Sequence, residues 1–365
     1  MRRMLLRINR VIGPATLGIL LILSGCASAP APKPLANDHR SEIESLMLGD
    51  IGRVDDKALE GYLKTDTELE QSPRHGLRTL RSRQKVQAAI PKEIDARVRW
   101  WIYYYAIREH VLFQRMLDRG EQYRSMITTV LNEHLMPAEL YNLAMIESGF
   151  VVRAESDAEA VGIWQFIPGT ATRYGLHVDS LSDDRNHPLM ATEAAARHLL
   201  DLRRRFKSWY LVLAAYNAGP ERIAKAMKRG KSIDFWELAR KHRLPSETMD
   251  YIPKFMAAVI LSTHYEKFGF HKPVPPHLYP ELVAIKVKPG MTLAQLARKG
   301  SIELSLLKRV NPQLINGVIP PQARRSEVWV PVQQAEEFRM ALSFKPHPKR
   351  ALSMAKTEPT NHSTL

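Results

Sequence analysis

The chain has 365 residues, 45% of them apolar, and carries 53 Lys and Arg against 38 Asp and Glu, a formal net charge of +15. That length exceeds one ordinary domain, so two folded units with tails are expected. The positive surplus favours an anionic partner such as nucleic acid, anionic lipid or an anionic cell-wall polymer. With no arginine-rich tract interleaved with aromatics and no zinc-ligand spacing, nucleic acid is set aside.

In chain order, Arg2, Arg3, Arg7 and Arg10 precede an apolar run from Val11 to Leu23, followed by Ser24, Gly25 and Cys26. A basic head, a short apolar core and small residues at a cut site make a secretory signal over residues 1–25. The run falls short of the ~20 residues that a bilayer crossing needs. Leu23-Ser24-Gly25-Cys26 resembles the bacterial lipobox, whose cysteine becomes the lipidated first residue. Cys26 is the only cysteine in the chain, so it has no partner for an internal disulfide. The competing reading is a plain signal peptide with a chance cysteine. In the enterobacterial sorting rule an aspartate after the lipidated cysteine retains a protein at the inner membrane. Ala27 stands there, which points to the periplasmic face of the outer membrane.

Residues 26–40 read as a proline-rich tether, and 41–90 as weakly helical and strongly charged, either a wrapping helix or a partly disordered segment. A firmer helical succession spans 91–270. It opens on Trp100, Trp101, Tyr103 to Tyr105, Val111, Leu112, Phe113 and Met116, read as core packing rather than a sugar-stacking platform. Proline and glycine then punctuate short helices without a convincing alternating strand, so this domain is all-α. Four prolines between His271 and Pro280 mark a linker over 271–281. Leu282–Val287 and Val328–Val332 read as paired strands, with helical periodicity over Thr292–Arg298 and Glu303–Val310 between them. From 344 to 365 the chain is polar and basic and reads as a disordered tail.

Within the helical domain, Pro137 suits a first helical turn and Gly149 a C-terminal cap, which sets Glu147 in a last turn. Residues three, four and seven back are Ala144, Leu143 and Leu140, so Glu147 lies on an apolar face. A carboxylate there is costly unless paired or functional, and the negative helix end adds to desolvation in raising its pKa. A carboxylic acid held protonated near neutral pH is what a glycosidic general acid requires. The plainer alternative is a fraying terminus from which Glu147 reaches solvent.

Further blocks follow: Gly162-Ile163-Trp164-Gln165, Ala215-Tyr216-Asn217-Ala218-Gly219 and Glu247-Thr248-Met249-Asp250-Tyr251. With Glu147-Ser148 they resemble, in order and spacing, the four motifs of the family-1 lytic murein transglycosylases over roughly Pro91 to Phe270. The resemblance implies a lysozyme-like α-helical fold with a glycan cleft and neither metal nor cofactor. By position Glu147 is the acid that protonates the oxygen between N-acetylmuramic acid and N-acetylglucosamine. It then serves as base for the muramic C6 hydroxyl, which closes a 1,6-anhydro ring. An internal nucleophile explains why one carboxylate suffices where hydrolysis usually pairs two. Ser148 would orient the catalytic group or the substrate acetamido group, and Gln165 and Asn217 would meet N-acetyl groups. Tyr216 and Tyr251 would place hydroxyls near the acid or supply a stacking face. Duller readings stand beside these: Asn217 as a helix terminator, Tyr216 as core, and Pro253 as a helix start or kink. The segment from Val151 to Val161 is more acidic than the family's usual stretch; Glu155, Asp157 and Glu159 read as solvated loop charges.

Val287-Lys288-Pro289-Gly290-Met291-Thr292-Leu293, Leu296-Ala297, Leu306-Leu307, Asn311-Pro312 and Val330-Pro331 resemble a LysM module over 282–333. That resemblance implies a small α+β (βααβ) unit that binds N-acetylglucosamine-containing glycans, or a derived packing module without ligand. The implied partners are peptidoglycan glycan strands and, through Cys26, a membrane; a monomer is expected. Three functions stay in view: a lytic transglycosylase, a hydrolase of goose-type lysozyme kind, and a non-catalytic wall-binding lipoprotein.

Overall fold

The computed structural model describes residues 94–321 and 326–343. The signal segment, Cys26, the tether, the 41–90 region and the expected tail lie outside the described residues. The helical unit opens with α1 (Ala96–Tyr103), whose first turn is satisfied by Asp95: its carboxylate accepts from the backbone N–H of Arg97 and Val98. A π-helical turn over Tyr104–Arg108 leads into the long α2 (His110–Glu133). Phe113, Met116, Leu117, Tyr123, Ile127, Val130 and Leu131 recur at helical spacing on α2 and are its buried face. Next come α3 (Tyr141–Ser148), α4 (Pro168–Arg173), α5 (Pro188–Phe206) and α6 (Trp209–Ala218). Then follow α7 (Pro220–Gly230), α8 (Phe235–Arg240) and α9 (Ser246–Thr263). α9 is the packing hub, lying against α1, α3 and α6. It runs through Pro253 as one helix; the proline neither starts nor ends it.

The aromatic stretch at α1 divides in a way that its composition hides. Val98, Ile102 and Tyr105 go inside, but Trp100 is 53% exposed. The correction follows from helical periodicity: two residues on from Val98 and two back from Ile102, Trp100 projects from the opposite side of α1. Its indole stacks on Tyr104 at 5.2 Å and 14° instead of entering the core.

The C-terminal unit is small and α+β. Strands β1 (Leu282–Lys286) and β2 (Glu327–Pro331) pair antiparallel with Ile285 opposite Val328. Between them lie α10 (Leu293–Lys299) and α11 (Leu304–Arg309), and α12 (Ala335–Ser343) follows. Thr292 and Gln295 close a reciprocal capping box at the start of α10, each side chain bonding the other's backbone N–H. Ile285, Leu293, Leu296, Leu307, Ile319, Val328, Val330 and Phe338 form a core separate from that of the helical unit. Asn311 ties this core together, donating to Leu307 O and Trp329 O and accepting from Trp329 N–H. Its amide thereby closes the end of α11 onto β2.

The turn after Asn311 also meets the helical unit. Pro312 O accepts from Arg153 at 3.0 Å and Gln313 O from the Asp183 N–H at 2.9 Å, while Ile315 N–H donates to Leu181 O at 3.1 Å. Trp329 sets its ring 4.9 Å from that of the fully buried His187.

Candidate active site

Glu147 stands where helix α3 stops. Gly149 follows at φ +57°, the left-handed geometry that a glycine adopts freely, and its N–H closes the turn on Met145 O. A side chain at Gly149 would also press on Met116 and Arg119, each 2.9 Å from the position of a Cβ atom. The backbone therefore turns away sharply and leaves Glu147 at the mouth of the core. From α9, the Tyr251 hydroxyl donates to Glu147 Oε1. Burial pushes the Glu147 carboxyl up to about 7; the Tyr251 hydrogen bond and the nearby Lys254 charge pull down against that rise, and Glu247 adds to it. Tyr251 is buried, and burial with the adjacent Glu147 keeps its phenol firmly protonated and able to donate.

Glu247, Tyr251 and Lys254 occupy i, i+4 and i+7 of α9, one helical face, and all three act on Glu147. Lys254 was not singled out from the sequence, although helical spacing from Tyr251 places it on this face. Its ammonium donates to Ile146 O at 3.1 Å, beside the acid and at the negative end of α3.

The Gly162–Gln165 block forms a tight loop, closed by paired backbone bonds between Val161 and Phe166. Gly162 is indispensable there. Its φ is +85°, and a Cβ atom would lie 2.0 Å from Arg185 O. Three side chains from other elements then hold the loop. Ser148 Oγ donates to Ile163 O at 3.0 Å, the Tyr216 hydroxyl to Trp164 O at 2.7 Å, and Arg185 Nη1 to Phe166 O at 3.0 Å. Trp164 is fully buried and donates its indole N–H to Thr192 Oγ1. Gln165, at φ +50°, spends its amide N–H groups on Ala154 O and Gly162 O. Asn217 is engaged at both ends of its amide, donating to Glu247 Oε1 at 3.0 Å and accepting from Thr248 Oγ1 at 2.9 Å. Ser148, Tyr216 and Asn217 are thus joined to protein groups, while Tyr251 meets Glu147 itself. The loop carboxylates Glu155, Asp157 and Glu159 are exposed.

The buried pair Arg185–Asp183 is a feature that sequence reading missed. Arg185 makes a fork onto both Asp183 oxygens at 2.7 to 3.1 Å and extends Nη1 to Glu159 O and Phe166 O. It braces the Gly162–Gln165 loop from beneath.

The shifted Glu147 pKa sets a stability slope. A carboxyl whose folded pKa is raised above its unfolded value contributes stability fully present below the ordinary range near 4.5 and lost as pH rises through about 7. Denaturant titrations at pH 5 and pH 8 are expected to show the chain less stable at pH 8, and Glu147→Gln to flatten that difference. An unchanged slope in the variant would mean that Glu147 ionises as freely folded as unfolded.

Residues 125–239 match the family described as Transglycosylase SLT domain, and residues 281–344 the family described as Lytic transglycosylase MltD, LysM-like domain. The chain is 34% identical over 230 residues to membrane-bound lytic murein transglycosylase D of Escherichia coli (strain K12), covering 62% of this chain and 50% of that protein. It is 41% identical over 107 residues to peptidoglycan transglycosylase gp16 of Escherichia phage T7, covering 28% of this chain and 8% of that one. The 70 kDa soluble lytic transglycosylase SLT70 of Escherichia coli overlays with a TM-score of 0.37 at 16% identity, over 66% of this chain and 49% of that chain, too loosely to bear on the site. The chain spans about half the length of the curated MltD relatives it matches. The helical unit thus carries the match to the Transglycosylase SLT domain family, and the C-terminal unit the match to the MltD LysM-like domain family.

Proposed function

We propose that this chain is a peptidoglycan lytic transglycosylase with Glu147 as its single catalytic carboxylate. The observation that carries the reading is the placement of Glu147, set at a helix end and hydrogen-bonded by Tyr251, where burial pushes its carboxyl up to about 7. At neutral pH much of it is the acid form. It donates its proton to the oxygen leaving C1 of the N-acetylmuramic residue as that bond breaks. The resulting carboxylate takes the proton of the C6 hydroxyl while O6 bonds to C1, which leaves a 1,6-anhydro end and returns Glu147 to the acid. No water is consumed. Lys254 and the Tyr251 hydroxyl sit where they offset the negative charge that Glu147 carries between the two transfers.

The reading needs one carboxylate rather than a hydrolytic pair. Glu247 is the second acid near Glu147, and its Oε1 accepts from Asn217. Asn217 and Ser148 then act by holding the motif blocks together, and Gln165 retains Oε1 as an acceptor for a sugar N-acetyl N–H. The names of the MltD and gp16 relatives, which refer to murein and peptidoglycan, support this substrate.

The deciding test is mass spectrometry of products released from purified peptidoglycan by the chain truncated before its mature domains. Muropeptides lighter by one water are expected; fully hydrated ends would make the chain a lysozyme-type hydrolase. The acid role also sets a pH profile. The rate is expected to fall as pH rises through about 7, since the acid form is lost. Tyr251→Phe removes a bond that lowers the Glu147 pKa, so its basic limb should move to higher pH; a limb that stays put in kcat/KM profiles on soluble glycan strands would detach it from Glu147.

The same reading places the enzyme at the periplasmic face of the outer membrane, anchored by lipid on Cys26. The basic head, apolar run and lone cysteine after Gly25 support it. Incorporation of labelled palmitate that survives Cys26→Ser would count against the anchor.

A further inference from the structure

An exposed tryptophan, Trp100, stands on a helix that packs against α9, the helix that carries Tyr251 and Lys254. Trp100 is more than half exposed on α1, yet its indole is held in place: stacked on Tyr104 at 5.2 Å and 14°, and met edge-on by Trp101 at 4.9 Å and 87°. Such a ring keeps about half of its surface exposed and is held by its aromatic neighbours, so a ligand that covers it pays little for ordering. α1 precedes the residues matched by the SLT family.

A chain of contacts links the patch to the neighbourhood of the acid. The Trp101 ring lies 5.7 Å from the Lys254 ammonium, and that ammonium donates at 3.1 Å to Ile146 O, the carbonyl preceding Glu147. α1 and α9 pack along this line. A strand seated at Glu147 that runs toward α1 therefore comes upon an aromatic face. Pyranose rings present C–H groups on their flat faces, which suit the negative face of an indole.

We propose that Trp100, supported by Tyr104 and Trp101, is a sugar-stacking platform that holds the glycan strand at a residue remote from the scissile bond. This rests on the transglycosylase reading for its choice of ligand. The platform adds to strand binding without entering the chemical step, so its contribution appears only when the strand is long enough to reach α1.

The test uses the full chain carrying Glu147→Gln, with affinities for denuded glycan strands of one to four disaccharides measured by calorimetry. Trp100→Ala is expected to weaken the longest strand by between about twofold and tenfold while leaving the single disaccharide unchanged. Trp100→Phe should retain most of the long-strand affinity. Equal affinity at every length would overturn the platform, and so would an equal loss at every length, which indicates a packing role for Trp100. Products from the chain with native Glu147 are read separately. If they are hydrated or absent while long-strand binding still depends on Trp100, the platform stands and the transglycosylase reading falls.

Discussion

Glu147→Gln is expected to lower release of glycan products by roughly 10³- to 10⁴-fold while leaving the fold and strand binding intact. The size follows from the proposed mechanism, in which one group serves twice, as proton donor to the departing oxygen and as acceptor from the C6 hydroxyl, so one substitution would disable both half-steps. The amide is nearly isosteric with the acid, and its carbonyl oxygen can still accept from Tyr251 as Glu147 Oε1 does. It also removes an ionisable group whose charged form burial penalises, so the variant should be no less stable than the parent above pH 7. Turnover of purified peptidoglycan, measured beside a denaturant titration of the same protein, separates lost chemistry from lost fold. Activity within tenfold of the parent would move the catalytic role to another residue, with Glu247 the first to examine.

A second large effect is expected at Arg185. Arg185→Met strips the buried Asp183 of its guanidinium fork and removes the Nη1 hydrogen bonds to Glu159 O and Phe166 O that hold the motif loop. An uncompensated buried carboxylate of this kind costs about 3–5 kcal/mol. Asp183 retains one bond from the Arg185 backbone N–H, which reduces the cost without cancelling the charge. The double variant Asp183→Asn with Arg185→Met should lose less stability than Arg185→Met alone, because no unpaired charge is left inside. Turnover should still fall, on the order of tenfold, in both variants, since the Gly162–Gln165 loop loses its brace and misplaced groups slow the reaction. If the two substitutions simply add in denaturant titrations, the pair is not coupled and the loop is held by other means.

Both effects depend on how separate sequence blocks meet. The end of α3 was legible locally: a glycine past an apolar-faced segment stops a helix, and Gly149 stands at φ +57° after Ser148. The βααβ order of the C-terminal unit was legible for a similar reason, since strand alternation and helix periodicity are short-range and the capping pair Thr292–Gln295 lies three residues apart. The role of amide side chains was not legible. Asn217 could equally have faced a sugar, and its engagement with Glu247 and Thr248 depends on α9 crossing α6 some thirty residues later.

What the sequence determined alone was the helix stop at Gly149, the all-α character of one unit and the small α+β character of the other, and the position of a carboxylate on an apolar helix face. These follow from dihedral preferences and residue spacing within a turn or two of chain. Tertiary structure decided the rest. It surrounded Glu147 closely enough to raise its carboxyl to about 7, set Tyr251 and Lys254 against it from α9, and seated Arg185 under the motif loop. It also left Trp100 outside while its neighbours Val98 and Ile102 went in. The physical reason is common to all of these: desolvation, charge proximity and exposure depend on which atoms lie within a few ångströms, and here those atoms come from segments up to 108 residues apart.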